Sequence, residues 1–133
     1  MNYLLDTHAL IWSLLDPEKL SENARQIIED PKNSISVSAV NFWEISLKYS
    51  IGKLGLEGIL PHEFPEFTAK TGFDLISLSP QETSTYHNLQ GDWHKDPFDR
   101  MLIWQAIHQD LVLITKDESI WKYKEIGLKT IWW

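Results

Sequence analysis

The segment LVLITKD, residues 111–117, restricts the choice of fold more than any other part of the chain. Its first four residues are apolar and a threonine follows, which is typical of a strand buried on both faces of a parallel sheet. Other short apolar runs alternate with segments of helical periodicity, and we predict strands at NYLLD (2–6), SISVS (34–38), FDLISLS (73–79) and KTIWW (129–133). This alternation predicts an α/β fold with a mostly parallel sheet.

Capping residues mark several of the helices between these strands. Ser21 and Ser79 each precede a helical segment, and Pro80 with Glu82 completes a capping pattern after Ser79. The predicted helices cover residues 8–15, 21–30, 39–50, 61–71, 79–89, 96–109 and 118–126.

Length and composition limit the class of protein. The chain has 133 residues, 43% of them hydrophobic, which predicts one globular domain over residues 1–133. It has no cysteine, which excludes disulfides and thiolate metal sites and suits a reducing cytoplasm. The first residues lack the basic start of a signal peptide, and no apolar run approaches the ~20 residues that span a bilayer. We therefore expect a cytoplasmic protein that does not contact membranes.

The formal net charge of -7 bears on possible partners. Phosphate groups are normally bound by Lys and Arg, so an acidic chain is not an obvious nucleic-acid-binding protein. If it binds nucleic acid, a bound divalent cation could reverse the local charge.

Two carboxylates follow predicted strands. Asp6 comes directly after the first strand, and Asp117 comes shortly after the strand within residues 111–115. Ligands of parallel sheets bind at the carboxyl ends of the strands, where both acids would lie. Each acid also precedes a helical segment, so a simple N-cap is an equally good interpretation of either one alone.

Glu44 lies on an otherwise apolar helical stripe. Its companions at helical spacing are Val40, Leu47 and Ile51. Because glutamate is almost never buried without a partner, Glu44 is a candidate for a charged ligand. The alternative is an ordinary pair with Lys48, four residues further along the helix.

The segment DPFD, residues 96–99, contains two aspartates with different predicted roles. Asp96 precedes Pro97 and is a natural N-cap. Asp99 shares a helix face with Leu102 and Ile103, which should pack on the sheet, so we expect it to point into a site. The alternative is a capping box in which Asp99 accepts a hydrogen bond from the Asp96 amide.

If the four acids Asp6, Glu44, Asp99 and Asp117 lie close together, they indicate what kind of reaction the site supports. Four carboxylates that lie close together repel one another unless a cation neutralises them, and Mg²⁺ and Mn²⁺ prefer oxygen ligands. Such a site suits phosphodiester hydrolysis. Because repulsion destabilises the metal-free fold, we expect neutralisation of Asp6 or Asp117 to raise the melting temperature.

The chain resembles the PIN-domain ribonucleases, in particular the VapC-like toxins of bacterial type II toxin–antitoxin pairs. The matching stretches, in family order, are YLLDTHALIW (3–12), SVSAVNFWEISLKYSIGKL (36–54), DPFDRMLIWQA (96–106) and LVLITKD (111–117). The resemblance implies an α/β/α sandwich, an endoribonuclease activity that depends on Mg²⁺ or Mn²⁺, a homodimer and inhibition by a cognate antitoxin. It places the family's acidic quartet on Asp6, Glu44, Asp99 and Asp117, and accompanying hydroxyls on Thr7 and Thr115. Asp96 also recurs in the DPFDR motif of this subgroup, so it could assist beyond capping.

Other polar residues have weaker signals. The five histidines lack zinc-hydrolase spacing, and we expect surface or outer positions for them, with His8 and His94 closest to the acids in sequence. Lys48 and Arg100 could contact RNA phosphates, or could form ordinary salt bridges.

Two non-enzymatic classes remain as alternatives. A phospho-receiver module would share an acid after the first strand and a late lysine, here Lys116, but the third strand ends in Ser79-Pro80 without the required aspartate. A PIN-like fold kept for binding alone would not require the full set of four acids.

Overall fold

The computed structural model describes residues 1–133. Five strands form one sheet: β1 (Asn2–Leu5), β2 (Ser34–Ser38), β3 (Asp74–Ile76), β4 (Val112–Ile114) and β5 (Lys129–Ile131). They lie in the order β3-β2-β1-β4-β5, and every neighbouring pair is parallel. The predicted α/β fold with a parallel sheet is confirmed.

Seven α-helices connect and cover the strands: α1 (Thr7–Leu15), α2 (Glu22–Glu29), α3 (Ala39–Ser50), α4 (Phe64–Lys70), α5 (Pro80–Thr85), α6 (Pro97–Gln109) and α7 (Glu118–Trp121). Four short 3₁₀ turns lie at Pro17–Lys19, Pro61–Glu63, Tyr86–Asn88 and Lys122–Ile126. The helix predicted for residues 61–71 therefore begins as a 3₁₀ turn and becomes α-helical only from Phe64. None of the helices is long and apolar enough to cross a bilayer.

The caps predicted from the sequence hold the helix starts. The Ser21 hydroxyl accepts a hydrogen bond from the Ala24 amide at 3.0 Å and begins α2. Ser79 and Glu82 form the reciprocal capping box of α5, with distances of 2.9 and 3.1 Å. Both predictions are confirmed.

Alternating side chains of the strands build two apolar layers. In β1, Tyr3 and Leu5 pack with residues of α1, α2 and α4, whereas Leu4 packs on the opposite face with residues of α6. Because successive strand residues point to opposite faces, a parallel sheet covered by helices on both sides follows. The α/β/α sandwich implied by the resemblance is confirmed.

Candidate active site

The strand order reverses at the central strands β1 and β4. Leu5 pairs with Ile114 at the carboxyl ends of these strands, and the Asp6 amide donates to the Ile114 carbonyl at 3.1 Å. The residues that follow β1 and β4 therefore leave the sheet side by side. In parallel sheets this reversal opens a crevice in which ligands bind.

Asp6 is buried at this point of the sheet. It is only 5% exposed, and its Oδ1 accepts a hydrogen bond from the Ala9 amide at 2.8 Å, which caps α1. Burial raises the pKa of Asp6, although hydrogen bonds from the Thr115 side chain and the Ala9 amide oppose the shift. Asp6 therefore caps α1 and also lies at the carboxyl end of β1, so the two interpretations from the sequence do not exclude each other.

Asp117 also caps a helix but has a different environment. Its Oδ1 accepts from the amide and the hydroxyl of Ser119, at 2.9 and 2.6 Å, and begins α7. Its Oδ2 lies 2.9 Å from Nε2 of His94. Burial acts to raise the pKa of Asp117, but the Ser119 hydrogen bonds and the His94 ring outweigh burial, and the pKa falls below its usual value. The charged form of Asp117 is therefore favoured.

Thr115 joins the two strand-end acids. Its side chain hydrogen-bonds the Asp6 carboxylate, and its Oγ1 accepts from the Asp117 amide at 3.1 Å. Thr115 is fully buried. Its hydroxyl therefore sets the position of both acids relative to the sheet.

Glu44 is buried and paired at the same time. It is 3% exposed; its Oε1 accepts from the Thr7 hydroxyl at 2.6 Å, and its Oε2 accepts from the Lys48 ammonium. The stripe predicted around Glu44 is wrong at Ile51, because α3 ends at Ser50 and Ile51 is exposed.

A buried polar chain fixes Thr7 and, through it, Glu44. The Asn41 amide group donates to the Thr7 hydroxyl at 3.1 Å and to the Leu5 carbonyl at 3.2 Å. Its carbonyl oxygen accepts from the Ser38 amide at 2.8 Å. Sequence reasoning missed Asn41, although a polar third residue after a serine N-cap is a capping-box signal that could have identified it.

Asp96 begins α6 as predicted. Its Oδ1 accepts from the amides of Phe98 and Asp99, at 2.9 and 3.1 Å. The Asp96 amide donates to Nδ1 of His94 at 3.1 Å, so the Asp99 carboxylate is not the acceptor that a capping box requires. Instead, Asp99 Oδ2 lies 3.0 Å from His94 Nε2. The helix start thus uses Asp96 and leaves the Asp99 side chain facing His94.

Asp99 is the centre of the acidic cluster. Its pKa is raised to about 8, first by burial and then by the negative charges of Glu44, Asp96, Asp6 and Asp117. Two groups of side chains have potential ligand atoms within 4.8 Å of one another, and Asp99 belongs to both; the groups are His94, Asp99 and Asp117, and Glu44, Asp96 and Asp99. Asp6 belongs to neither group, although its charge acts on Asp99.

Carboxylate oxygens dominate both groups, and no thiol is present in the chain. This donor chemistry fits a hard divalent cation such as Mg²⁺ or Mn²⁺. A cation would also relieve the repulsion that raises the Asp99 pKa. The residues present therefore fit a divalent metal.

His94 and His8 occupy very different places. The His94 side chain is 14% exposed and lies between Asp99 and Asp117. His8 is exposed and stacks on Trp12, with ring centroids 5.5 Å apart. The predicted surface or outer position fits His8, which is exposed, whereas His94 lies directly beside two of the acids.

The two basic candidates are both engaged within the protein. The Lys48 ammonium contacts Glu44 and lies 3.9 Å from Asp96 Oδ2, at the rim of the cluster. The Arg100 guanidinium donates to main-chain and hydroxyl oxygens at 2.6–3.1 Å; the acceptors are Gly91, Leu89, Tyr86 and Tyr123. An RNA contact at Arg100 is not supported by this placement, because its donors hold the loop of residues 89–94.

Comparison with known proteins places this chain in a family. The sequence profile of the PIN domain matches residues 3–126. That match covers most of the chain, and the chain belongs to the PIN domain family.

Individual relatives are similar over almost the full length. Ribonuclease VapC22 of Mycobacterium tuberculosis is 25% identical over 129 residues, which is 97% of each chain. Among solved structures, VapBC2 of Rickettsia felis bound to a promoter DNA fragment has a TM-score of 0.65 at 18% identity and covers 98% of each chain. VapBC-1 of nontypeable Haemophilus influenzae has a TM-score of 0.64 at 17% identity and covers 100% of this chain and 98% of the other.

Proposed function

We propose that this protein is an endoribonuclease toxin that depends on Mg²⁺ or Mn²⁺ and is inhibited by a cognate antitoxin. One observation carries the proposal: the Asp99 carboxylate at the sheet edge belongs to two groups of potential metal ligands, in which carboxylate oxygens predominate. Membership of the PIN domain family and the similarity to a ribonuclease support it.

The site residues have distinct roles in this proposal. Asp6, Glu44, Asp99 and Asp117 would hold the metal and form the catalytic quartet. A bound divalent cation supplies charge neutralisation for the phosphodiester and an activated water nucleophile. Thr7 orients Glu44, and Thr115 orients Asp6 and Asp117.

The remaining residues shape the approach of the substrate. Asp96 builds the start of α6 and presents Asp99. Lys48, at the rim of the cluster, is the better candidate of the two basic residues for contacting an RNA phosphate. Because the chain is acidic, most of the affinity for RNA would come through the cation.

The partners follow from the same family resemblance. We propose that residues 1–133 act as one PIN domain, that the protein forms a homodimer, and that an antitoxin covers the site. The similarity to VapBC structures supports an antitoxin partner. A PIN domain retained for binding alone is the competing function.

RNA cleavage tests the proposal directly. We expect purified protein to cleave a mixture of labelled RNAs with Mg²⁺ or Mn²⁺, and to lose this activity in chelator. Glu44→Gln should remove most activity, because it removes a charge from the cluster. Glu82→Gln is the matched control: Glu82 is also a buried glutamate, but it accepts hydrogen bonds from Gln105 and Gln109 and belongs to neither group of potential metal ligands. Cleavage that survives chelation, or equal activity of both variants, would contradict the proposal.

A further inference from the structure

His94 is held from three sides. Its amide donates to the Tyr123 hydroxyl at 3.3 Å, and its carbonyl accepts from Arg100 Nη1 at 3.4 Å. Its ring nitrogen Nδ1 accepts from the Asp96 amide at 3.1 Å. The backbone and the ring of His94 are thus fixed by α6 and by Tyr123.

The contact with Asp96 determines the tautomer of the ring. A backbone amide can only donate, so Nδ1 must be the unprotonated acceptor. The proton of a neutral ring is then on Nε2, which lies 2.9 Å from Asp117 Oδ2 and 3.0 Å from Asp99 Oδ2. In this state Nε2–H donates to the carboxylates and has no lone pair for a metal.

We propose that His94 is a positioning residue that sets the spacing of Asp99 and Asp117 for a divalent cation through its Nε2–H, and that it does not ligate the metal itself. The inference rests on the proposed function, because it assumes that the two acids bind metal. Within the HKDPFD segment (94–99), the Asp96 amide orients the His94 ring. The ring in turn orients Asp99 and Asp117.

The arrangement places one hydrogen-bond donor between two carboxylates. Asp99 and Asp117 repel each other when both are charged, and Asp117 contributes to the raised pKa of Asp99. A single donor shared by both Oδ2 atoms offsets this repulsion and keeps them at one ligand spacing. Loss of comparable partners that orient metal ligands typically weakens metal affinity by about 10–100-fold.

The test combines calorimetric titration of Mn²⁺ with ¹⁵N spectroscopy of the histidine rings. We expect His94→Leu to bind Mn²⁺ about 10–100-fold more weakly than wild type. His94→Gln, which places an amide donor near the position of Nε2, should recover part of the affinity. His62→Gln, at an exposed position in the Pro61–Glu63 turn and in neither group of potential metal ligands, is the matched control and should bind as wild type does.

The spectroscopic readout separates positioning from ligation. We expect the His94 ring to keep a proton on Nε2, facing the two carboxylates, both without metal and with saturating Mg²⁺. An Nε2 that loses its proton when the metal binds would overturn the inference, because that nitrogen would then be a ligand. So would wild-type Mn²⁺ affinity in His94→Leu, while the proposed function would stand. Wild-type protein that neither binds Mn²⁺ nor cleaves RNA would overturn the proposed function and this inference with it.

Discussion

The charge of Asp99 is the clearest case in which the fold opposes an ionised side chain. Burial and four neighbouring carboxylates raise its pKa from 3.8 to about 8. Between these two pH values, the folded state therefore keeps a proton on Asp99 that the unfolded state has already released. The contribution of this proton to the free energy of unfolding is fully present below the ordinary pKa of aspartate. It is lost as the pH rises through about 8, the pKa of Asp99 in the folded state.

The raised pKa of Asp99 predicts how the stability of the metal-free protein depends on pH. We expect the free energy of unfolding, measured by denaturant titration in chelator, to fall between pH 5.5 and 8.5. Asp99→Asn should show a shallower fall, because its side chain cannot ionise. Identical pH dependence of the two proteins would show that the Asp99 carboxyl has an ordinary pKa.

Asp6 and Asp117 should respond to neutralisation in opposite directions. The raised pKa of Asp6 means that its charge destabilises the metal-free fold, whereas the lowered pKa of Asp117 means that its charge stabilises it. Asparagine retains good capping at both positions. We therefore expect Asp6→Asn to raise the melting temperature in chelator and Asp117→Asn to lower it. Our sequence-based expectation treated both alike, and the Ser119 and His94 contacts reverse it for Asp117.

Thermal melts of the two variants check this contrast. Asp92→Asn is a suitable control, because Asp92 is exposed and makes no hydrogen bond or salt bridge. If both Asp6→Asn and Asp117→Asn melt at a higher temperature than wild type, repulsion between the acids is the dominant effect at both positions and the predicted contrast is wrong.

Among the elements, the start of α6 shows how one helix end serves two purposes. Asp96 satisfies the first free amides of the helix, and Asp99 faces the other acids. We expect Asp96→Asn to change stability by less than ~1 kcal/mol and to retain RNA cleavage. Asp99→Asn should remain folded and lose most cleavage.

Parallel measurements of unfolding free energy and cleavage rate test this division. Asp96→Ala provides the control for capping, because loss of the acceptor costs about 1 kcal/mol at an N-cap. Equal loss of cleavage in Asp96→Asn and Asp99→Asn would make Asp96 a metal ligand, which its place beside Glu44 and Asp99 permits.

The elements were largely predictable because their signals are local. The continuous apolar run at residues 111–115 and the serine caps at 21 and 79 depend only on neighbouring residues. The pattern of apolar residues also indicated that Asp6 and Asp117 lie at strand ends and that Glu44 and Asp99 lie on helices. The helix at residues 61–71 was placed only approximately, since the chain forms a 3₁₀ turn before Phe64.

The contacts between elements were not predictable in the same way. His94 reaches the acids because Arg100 and Tyr123 hold the loop of residues 89–94, whereas the sequence indicated an RNA contact or a salt bridge for Arg100. Asn41 orients Thr7 from a helix that is distant in sequence. Periodicity identifies the face on which a side chain lies, but loop conformation and long-range partners depend on the whole fold.

At the scale of the whole molecule, the sheet topology concentrates negative charge at one edge. β1 and β4 carry Asp6 and Asp117 to this edge, while α3 and α6 add Glu44 and Asp99. In a protein with a net charge of -7, such a cluster opposes both folding and RNA binding unless a cation neutralises it. We therefore predict that a bound metal offsets the cost of this cluster to the stability of the fold.

The most direct test is the melting temperature of wild type and Asp99→Asn, each measured in chelator and in millimolar Mn²⁺. A ligand that binds only the folded state stabilises it by about 2.7 kcal/mol at a hundredfold excess over Kd. We predict that Mn²⁺ raises the melting temperature of wild type, and that Asp99→Asn melts higher than wild type in chelator but responds little to Mn²⁺. A wild-type protein that ignores Mn²⁺, together with an Asp99→Asn variant that melts lower in chelator, would contradict the account.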